Sequence, residues 1–309
     1  MKLISKLKRI TTAAALLAIV FSFQLSNGTF AQQTSTQSTL LYKVSGNGLK
    51  KPSYLFGTFH ILKSDYLQQY PAVKKALDKT NGTVVELKLD STMEVKMGAA
   101  MQLESGTIST VLPESLKDSL NSYLKLELGA VLTSFNTLNP AGLNMFLTIL
   151  QIMKYAEPKI NQFGGVELDR YFANYASDKG KKVVELETID EQLSIIYGSN
   201  LEQQVTDLRL FLQNEKQLVP LTNEMLDVYL KHDLDGLFAL SEEIKKYSDP
   251  NNPIYSTIEK RNTKWMNQLP DLIKQEPYFI AVGALHLVGP EGLIEQLKQL
   301  GYEVTPIEL

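Results

Sequence analysis

Apolar positions along the chain form short continuous runs near its two ends and longer helical patterns between them. The runs predicted to be strands are residues 41–44, 54–58, 83–89, 182–187, 278–283 and 303–307. They are short and rich in β-branched and aromatic residues, as strands are. Most are apolar at consecutive positions, a pattern typical of strands covered on both faces by helices.

Between these runs the apolar residues recur at helical spacing. Residues 65–79 and 113–128 are predicted to be helices, and residues 139–275 are nearly all helical apart from the strand at 182–187. The prolines predicted to interrupt this long stretch are Pro140, Pro158, Pro220, Pro250 and Pro253. The alternation predicts an α/β fold with a central mixed or mostly parallel sheet, flanking helices and a large helical insertion at about 92–275.

The first residues have the order of an export signal. Lysines and an arginine within residues 2–9 precede an apolar run at 13–22, and a small residue, Ala31, precedes Gln32. The run is shorter than the ~20 residues of a comfortable membrane span, although an uncleaved anchor is the alternative. We expect a signal peptide at 1–31, a flexible leader at 32–40, and a single domain at 41–309 that works in the periplasm or outside the cell, with no stable membrane span after cleavage.

Composition narrows the chemistry. The chain of 309 residues has a net charge of −3, which disfavours nucleic acid as its partner. It has no cysteine, which excludes disulfides, thiolate metal sites and a cysteine nucleophile. It has only 3 histidines, so each can be considered by itself.

Two of the histidines share a local pattern. His60 ends the run that contains Gly57, and His286 ends the run that contains Gly283, so both lie in Gly-x-x-His at the end of an apolar strand. Ligands of open α/β sheets bind beyond the carboxyl ends of the strands, and imidazole is a common ligand of divalent ions. The pair therefore favours one shared metal site over two packed core histidines. The third, His232, is predicted to be a surface residue at a helix end.

The ordered set of motifs resembles the TraB/GumN family, which includes the Tiki proteins and is related to the erythromycin-esterase/ChaN-like fold. The matching residues are 55–60, 84–87, Asp169 with Gly180-Lys181, 186–188, Arg261-Asn262 and 283–287. In the Tiki branch of that family the two Gly-x-x-His motifs are implicated in metal-dependent proteolysis. The resemblance implies a metal-dependent hydrolase of peptide or small-molecule substrates that uses Mn, Co or Zn.

The resemblance also places acidic residues near the metal. Glu86 lies in an otherwise apolar strand, where an unpaired carboxylate is costly, and would be a metal ligand or the general base. The open alternative is a strand-end residue that faces solvent. Glu185 and Glu187 are two apart and would share one strand face; Glu187 matches the family and would lie near the site, whereas the role of Glu185 is undecided.

Arg261 is predicted to share a helix face with Ile258 and Trp265. It would pack on the tryptophan, fix a carboxylate ligand or stabilise an oxyanion. Asp169 matches a family position but could equally be an early-helix acid that interacts with the helix dipole.

The chain lacks Gly-x-Ser-x-Gly, Gly-x-x-x-x-Gly-Lys and His-Glu-x-x-His, which disfavours serine hydrolases, nucleotide enzymes and zincin proteases. Two rivals stay open: a haem- or metal-binding protein of ChaN-like fold, in which His60 or His286 would bind iron, and a non-catalytic partner-docking domain.

Overall fold

A six-stranded mixed sheet lies at the centre of the protein. The computed structural model describes residues 39–88, 91–249 and 257–309. The strands are β1 Leu41–Gly46, β2 Ser53–Thr58, β3 Gly82–Val85, β4 Lys182–Glu185, β5 Tyr278–Gly283 and β6 Tyr302–Ile307. Each overlaps a predicted strand; the third prediction runs to Leu89, which lies outside the described residues.

Helices surround the sheet and fill most of the described part of the predicted insertion. They are α1 Pro71–Asp78, α2 Ser91–Ala100, α3 Ile108–Val111, α4 Glu114–Leu128, α5 Pro140–Ile160, α6 Leu168–Asp178, α7 Ile189–Tyr197, α8 Leu201–Leu230, α9 Leu234–Lys245, α10 Thr257–Met266, α11 Leu269–Gln275 and α12 Leu293–Gln299. The predicted α/β class is thereby confirmed. The likeness to the erythromycin-esterase/ChaN-like fold stays a prediction.

The order of the strands is β4-β3-β5-β2-β1-β6. The first four are parallel, whereas β1 is antiparallel to both β2 and β6. The central strands β2 and β5 are buried at every position, because helices cover both faces of the sheet. The carboxyl ends of four neighbouring strands consequently open on one edge, where ligands bind in sheets of this kind.

Two helical predictions need correction in detail. Residues 65–79 do not form one helix: a 3-10 turn at Ser64–Gln69 precedes α1, and Tyr70 between them is not helical. The cause is Pro71, since a residue before proline avoids the α region. Pro140 does begin a helix, but Pro158 and Pro220 lie inside α5 and α8 and do not interrupt them. Pro250 and Pro253 lie outside the described residues.

Two clusters of buried apolar side chains occur in the described part of the chain. The larger joins the sheet to its covering helices and includes Phe56, Phe172 and Phe279, whose rings contact one another. The smaller lies in the insertion, between α3, α4, α5 and α8, and contains Leu120 and Leu208. The insertion therefore has apolar packing of its own, away from the sheet.

The folded part begins slightly earlier than predicted. Thr39 and Leu40 fall at the end of the predicted leader, yet both are buried, and the Thr39 hydroxyl donates to the carbonyl of Ile307. The predicted signal peptide at 1–31 lies outside the described residues. Within the described ranges, no helix combines the length and the apolar content needed to cross a bilayer.

Candidate functional site

Each of the four parallel strands delivers one site residue just past its carboxyl end. His60 follows β2, Glu86 follows β3, Glu187 follows β4 and His286 follows β5. All four side chains are buried, and Arg261 reaches them from α10. The sheet topology thus brings together residues that are up to 226 positions apart in the chain, counted from His60 to His286.

The two glycines of the Gly-x-x-His motifs are required by close packing between the motifs. A Cβ on Gly57 would lie 2.9 Å from the Cα of Ala284, inside the other motif. A Cβ on Gly283 would lie 3.3 Å from His60 Nε2 and 3.2 Å from Glu86 Oε1. Because β2 pairs with β5, with Thr58 opposite Gly283, the two turns contact each other directly. Glycine here provides space for neighbouring side chains rather than a special backbone angle.

His60 is oriented by an acid from α6. Its Nδ1 lies 2.8 Å from Asp169 Oδ2, and the Thr58 hydroxyl donates to Asp169 Oδ1 at 2.7 Å. This contact fixes the proton on Nδ1 and leaves Nε2 facing Gly283. A carboxylate behind an imidazole is the usual support of a histidine that ligates a metal.

His286 is oriented in the same sense by an amide. Its Nδ1 lies 2.7 Å from Asn262 Oδ1, and the Asn262 amide donates to the carbonyls of His286 and Glu291. Because Nδ1 carries the proton, Nε2 accepts a hydrogen bond from Arg261 Nη1 at 3.0 Å. The indole of Trp265 packs on the imidazole with ring centroids 4.3 Å apart.

Arg261 connects the two carboxylates. Its Nη2 donates to Glu86 Oε2 at 2.5 Å and also to Glu187, while its Nε donates to Glu187 Oε2 at 3.0 Å. Glu86 Oε1 accepts the backbone N–H of Gly283 at 2.6 Å. Glu187 is held further by Gln192, whose amide donates to Oε1 at 2.6 Å.

The site gives its ionisable groups different pKa values. Burial lowers the pKa of His60, but Asp169 outweighs this effect and the net shift is upward. Burial, reinforced by the charges of Arg261 and His60, places the pKa of His286 well below its ordinary value. Burial raises the pKa of Glu86, although Arg261 acts in the opposite direction. His286 is therefore a neutral imidazole, and its Nε2 lone pair accepts the hydrogen bond from Arg261.

The donor set of two imidazoles and a carboxylate suits a divalent ion in its chemistry. His60 Nε2 and Glu86 Oε1 both border the position that a Cβ on Gly283 would take, and His286 Nε2 lies 3.8 Å from Glu86 Oε1. As they stand, the described residues contain no group of three His, Cys, Asp or Glu side chains placed to hold an ion. In this arrangement the guanidinium of Arg261 is the cation that His286 and Glu86 contact.

The structure brings His60, Glu86, Glu187, Arg261 and His286 together, but it separates Glu185 from them. β4 ends at Glu185, so Glu185 and Glu187 do not share a strand face as expected. Glu185 is exposed and accepts the N–H of Lys88 at 2.7 Å.

Three further outcomes concern residues outside that set. His232 does end a helix, but it is half-buried, with Nε2 3.0 Å from the Tyr66 hydroxyl, and is not the free surface residue predicted. Asp169 supports His60 rather than only beginning a helix. Asn262 was missed as the partner of His286; its place directly after Arg261 in a matching motif was the available signal.

The fold and site define an α/β protein with a buried two-histidine centre at the carboxyl edge of a mostly parallel sheet. The chain belongs to the TraB/PrgY/gumN family, whose model matches residues 40–306.

Curated relatives carry the name metalloprotease. Metalloprotease TIKI1 of Xenopus tropicalis is 24% identical over 300 residues, which cover 82% of this chain and 59% of that protein. Metalloprotease TIKI2 of Danio rerio is 23% identical, covering 82% of this chain and 58% of its own length. Metalloprotease TIKI homolog of Amphimedon queenslandica is 24% identical, covering 89% and 62%. The chain thus spans about three fifths of these relatives. No solved structure matches the chain.

Proposed function

We propose that this protein is an exported metal-dependent hydrolase of the peptidase type. The observation that carries the proposal is the matched orientation of the two imidazoles. Each is tied at Nδ1, by Asp169 or by Asn262, and both rings border the same space beside Gly283, which Glu86 Oε1 also borders. Asp169 and Asn262 come from different helices, and a hydrogen-bonded support of this kind is usual behind a histidine that ligates a metal. The names of the relatives favour the same reaction class.

His60, His286 and Glu86 would hold the ion, which would be Mn, Co or Zn because the chain has no thiolate. When bound there, such an ion would lower the pKa of water and polarise a carbonyl. In hydrolysis the water oxygen bonds to the carbonyl carbon, the C–N bond breaks, and one water proton reaches the leaving nitrogen. Glu86, or Glu187 if Glu86 ligates the ion, would take that proton and return it to the leaving nitrogen.

Arg261 has the charge and the donors to stabilise an oxyanion. Its guanidinium lies among Glu86, Glu187 and His286, and its five N–H donors exceed what a single partner needs. Glu187 holds it with two contacts and is itself fixed by Gln192. Glu187 would therefore position Arg261, and Arg261 would donate to the negative charge that develops on the carbonyl oxygen.

The haem alternative has less support from the described site. The cavity beside His60 and His286 encloses about 20 Å³, which is room for about one water molecule and far too little for a haem.

The test combines metal content with cleavage. The protein without residues 1–31 is loaded with Mn, Co or Zn and offered peptide and ester libraries. We expect metal-stimulated cleavage that His60→Ala and His286→Ala abolish, together with loss of bound metal in the double variant, measured by mass spectrometry of the eluted ion.

His232→Asn is the matched control, because His232 has φ 60°, which asparagine tolerates. This variant should keep both metal and cleavage. Cleavage that survives in His60→Ala, or metal retained by the double variant, contradicts the proposal. Tight haem binding that requires His60 or His286, without turnover under any metal, would support the carrier instead.

A further inference from the structure

The guanidinium of Arg261 contacts the one nitrogen of His286 that is able to ligate an ion. Asn262 fixes the other nitrogen, because its amide donates to two carbonyls and its Oδ1 therefore accepts the proton of His286 Nδ1 at 2.7 Å. The only lone pair of the ring is then on Nε2, which accepts a hydrogen bond from Arg261 Nη1 at 3.0 Å. One lone pair serves either a hydrogen-bond donor or a metal, so these two uses of His286 exclude each other.

The rest of the guanidinium is held without the histidine. Its Nε donates to Glu187 Oε2 at 3.0 Å, and its Nη2 donates to the other oxygen of Glu187. Gln192 fixes that carboxylate, and the ring centroid of Trp265 lies 4.9 Å from the guanidinium carbon. Arg261 is therefore able to give up the contact of Nη1 and still remain buried and paired.

Glu86 differs from His286 in this respect, because it can serve the guanidinium and an ion together. Its Oε2 accepts from Arg261 Nη2 and its Oε1 accepts the backbone N–H of Gly283. Each carboxylate oxygen has two lone pairs, so both oxygens keep an acceptor position beside these hydrogen bonds. Competition between the guanidinium and an ion consequently falls on His286 rather than on Glu86.

We infer that Arg261 competes with the metal ion for His286, and that Glu187 is the positioning residue that holds Arg261 aside when an ion binds. The inference rests on the metal centre of the proposed function and adds the control of its affinity. A hydrogen bond from a charged donor corresponds to about 10- to 100-fold in an equilibrium constant. Arg261 lowers the metal affinity of the centre by about that factor.

The same movement supplies a donor that the proposed reaction requires. When Nη1 leaves His286, its two N–H groups are free beside the proposed ligands, whereas Nε and Nη2 stay on Glu187. In the proposed hydrolase these freed N–H groups are the donors to the oxyanion. Metal binding and completion of the oxyanion site are thereby linked through one side chain.

The first measurement is the affinity for zinc, determined by competition with a chelator, in the purified protein and its variants. Arg261→Lys keeps the positive charge between Glu86 and Glu187, but a single nitrogen lacks the second arm that reaches His286. We expect this variant to bind zinc about 10- to 100-fold more tightly than the wild type. Glu187→Gln removes the charge that holds the guanidinium aside and should weaken zinc binding.

Lys264→Met is the matched control, because Lys264 lies on the same helix as Arg261 but is exposed and paired with Glu191. It removes a positive charge without touching His286 and should leave zinc affinity unchanged. A purely structural role of Arg261 would weaken zinc binding in Arg261→Lys. A purely electrostatic role would leave it unchanged, since lysine has the same charge. Either result overturns the inference.

Nitrogen NMR of the wild type follows the contact itself. The chain has 3 histidines, and His60→Ala and His232→Asn identify the signals of two of them, which leaves those of His286. We expect zinc to move the Nε2 signal of His286 to the range of a metal-bound nitrogen, while the Nε–H of Arg261 stays protected from exchange. Bound zinc that leaves the His286 signal in place overturns the inference, as does loss of protection at Arg261 Nε–H.

The inference and the proposed function fail separately. Zinc bound through His286 with no gain in Arg261→Lys rejects the competition and leaves the hydrolase. The expected gain without cleavage of any substrate rejects the hydrolase and leaves the competition. No zinc bound by any of these proteins rejects the metal centre on which both rest.

Discussion

Adding one methyl group at Gly283 is expected to push apart His60 and Glu86, two of the side chains proposed to hold the metal. In Gly283→Ala the new Cβ would lie 3.2 Å from Glu86 Oε1 and 3.3 Å from His60 Nε2, both tighter than ordinary contact. Both partners must move by a few tenths of an ångström. Because catalysis depends on such positions, we expect metal-stimulated cleavage to fall about tenfold or more.

Stability of Gly283→Ala should fall by about 1–3 kcal/mol, the usual cost of overpacking. Gly98 on α2 is the matched control, since a Cβ there meets nothing within 4 Å. Gly98→Ala should stabilise by about 0.5–1 kcal/mol and leave cleavage unchanged. Denaturant unfolding and a cleavage assay measure both effects, and a fully active Gly283→Ala protein would contradict this geometry.

Arg261 is expected to matter for folding as well as for chemistry. Arg261→Met would leave Glu86 and Glu187 buried without their cation, and breaking a buried pair in this way costs about 3–5 kcal/mol. Lys96→Met removes the exposed pair with Asp190 and should cost less than about 1 kcal/mol. Chemical denaturation of both variants gives the comparison. Similar losses for the two would mean that the carboxylates take up protons and become neutral when Arg261 is absent.

At the scale of elements, the hydrogen bond between His60, which follows β2, and Asp169 on α6 is expected to control the affinity of the proposed metal site. Asp169 holds His60 Nδ1, and Asp169→Asn replaces an ionised acceptor with a neutral amide that can place an N–H against that nitrogen. Loss of such support typically weakens metal binding about 10- to 100-fold. Chelator competition measures this directly. Asp178→Asn, at the exposed end of the same helix, should bind metal as the wild type does.

The turn between α8 and α9 carries a pH-sensitive contribution to stability. His232 contacts Tyr66 and the edge of Tyr70, with Asp233 next in the chain, and burial lowers its pKa from the ordinary 6.5. The folded state thus favours the neutral ring, whereas the unfolded chain takes up a proton as pH falls below about 6.5. The stability from this residue is therefore present above about pH 6.5 and is lost as pH falls through and below that value.

His232→Asn keeps the left-handed turn and removes the titration. The melting temperature of the wild type should fall further than that of this variant between about pH 7.5 and about pH 5.5. The difference reports His232 alone, because every other titrating group is common to both proteins. A constant difference between their melting temperatures over that range would show that His232 does not contribute in this way.

For the whole molecule, we expect export with cleavage after Ala31. Mass spectrometry of extracytoplasmic protein should then find an N-terminus near Gln32, seven residues before Thr39, the first described residue. Leu17→Arg, which places a charge in the apolar run, should keep the chain inside the cell with residues 1–31 attached. Extracytoplasmic protein that retains residues 1–31 would instead indicate the anchor alternative.

Local periodicity determined most of the fold. All six strands were predictable as short runs rich in β-branched and aromatic residues, and the continuous apolar runs of β2, β3 and β5 are typical of buried parallel strands. The helical insertion followed from its spacing. The two Gly-x-x-His motifs could be identified as a pair because only three histidines occur. The helix predictions were wrong at prolines. They missed the helix break before Pro71 and placed a break at Pro220, which lies inside a continuous helix.

A short internal repeat in the sequence shows why the roles of Glu185 and Glu187 were harder to predict. TVVEL at 83–87 and KVVEL at 182–186 align Glu86 with Glu185. In the sheet Val84 pairs with Val184, one position away from the echo, and the acid that reaches Arg261 is Glu187, which lies beyond the end of β4. The repeat did not predict the register between β3 and β4, because the pairing of two strands depends on how they pack with the rest of the sheet.

The sequence by itself predicted the helices and strands and the two turns that carry the histidines. It also marked the acidic residues that stand in otherwise apolar strands. Only the tertiary structure decided which groups meet. Asp169 and Asn262 orient the two imidazoles, and Arg261 lies between Glu86 and Glu187, through contacts that span between 24 and 175 positions. Such contacts depend on strand order and helix placement, which no local pattern encodes, and a buried charge is stable only where those distant partners arrive.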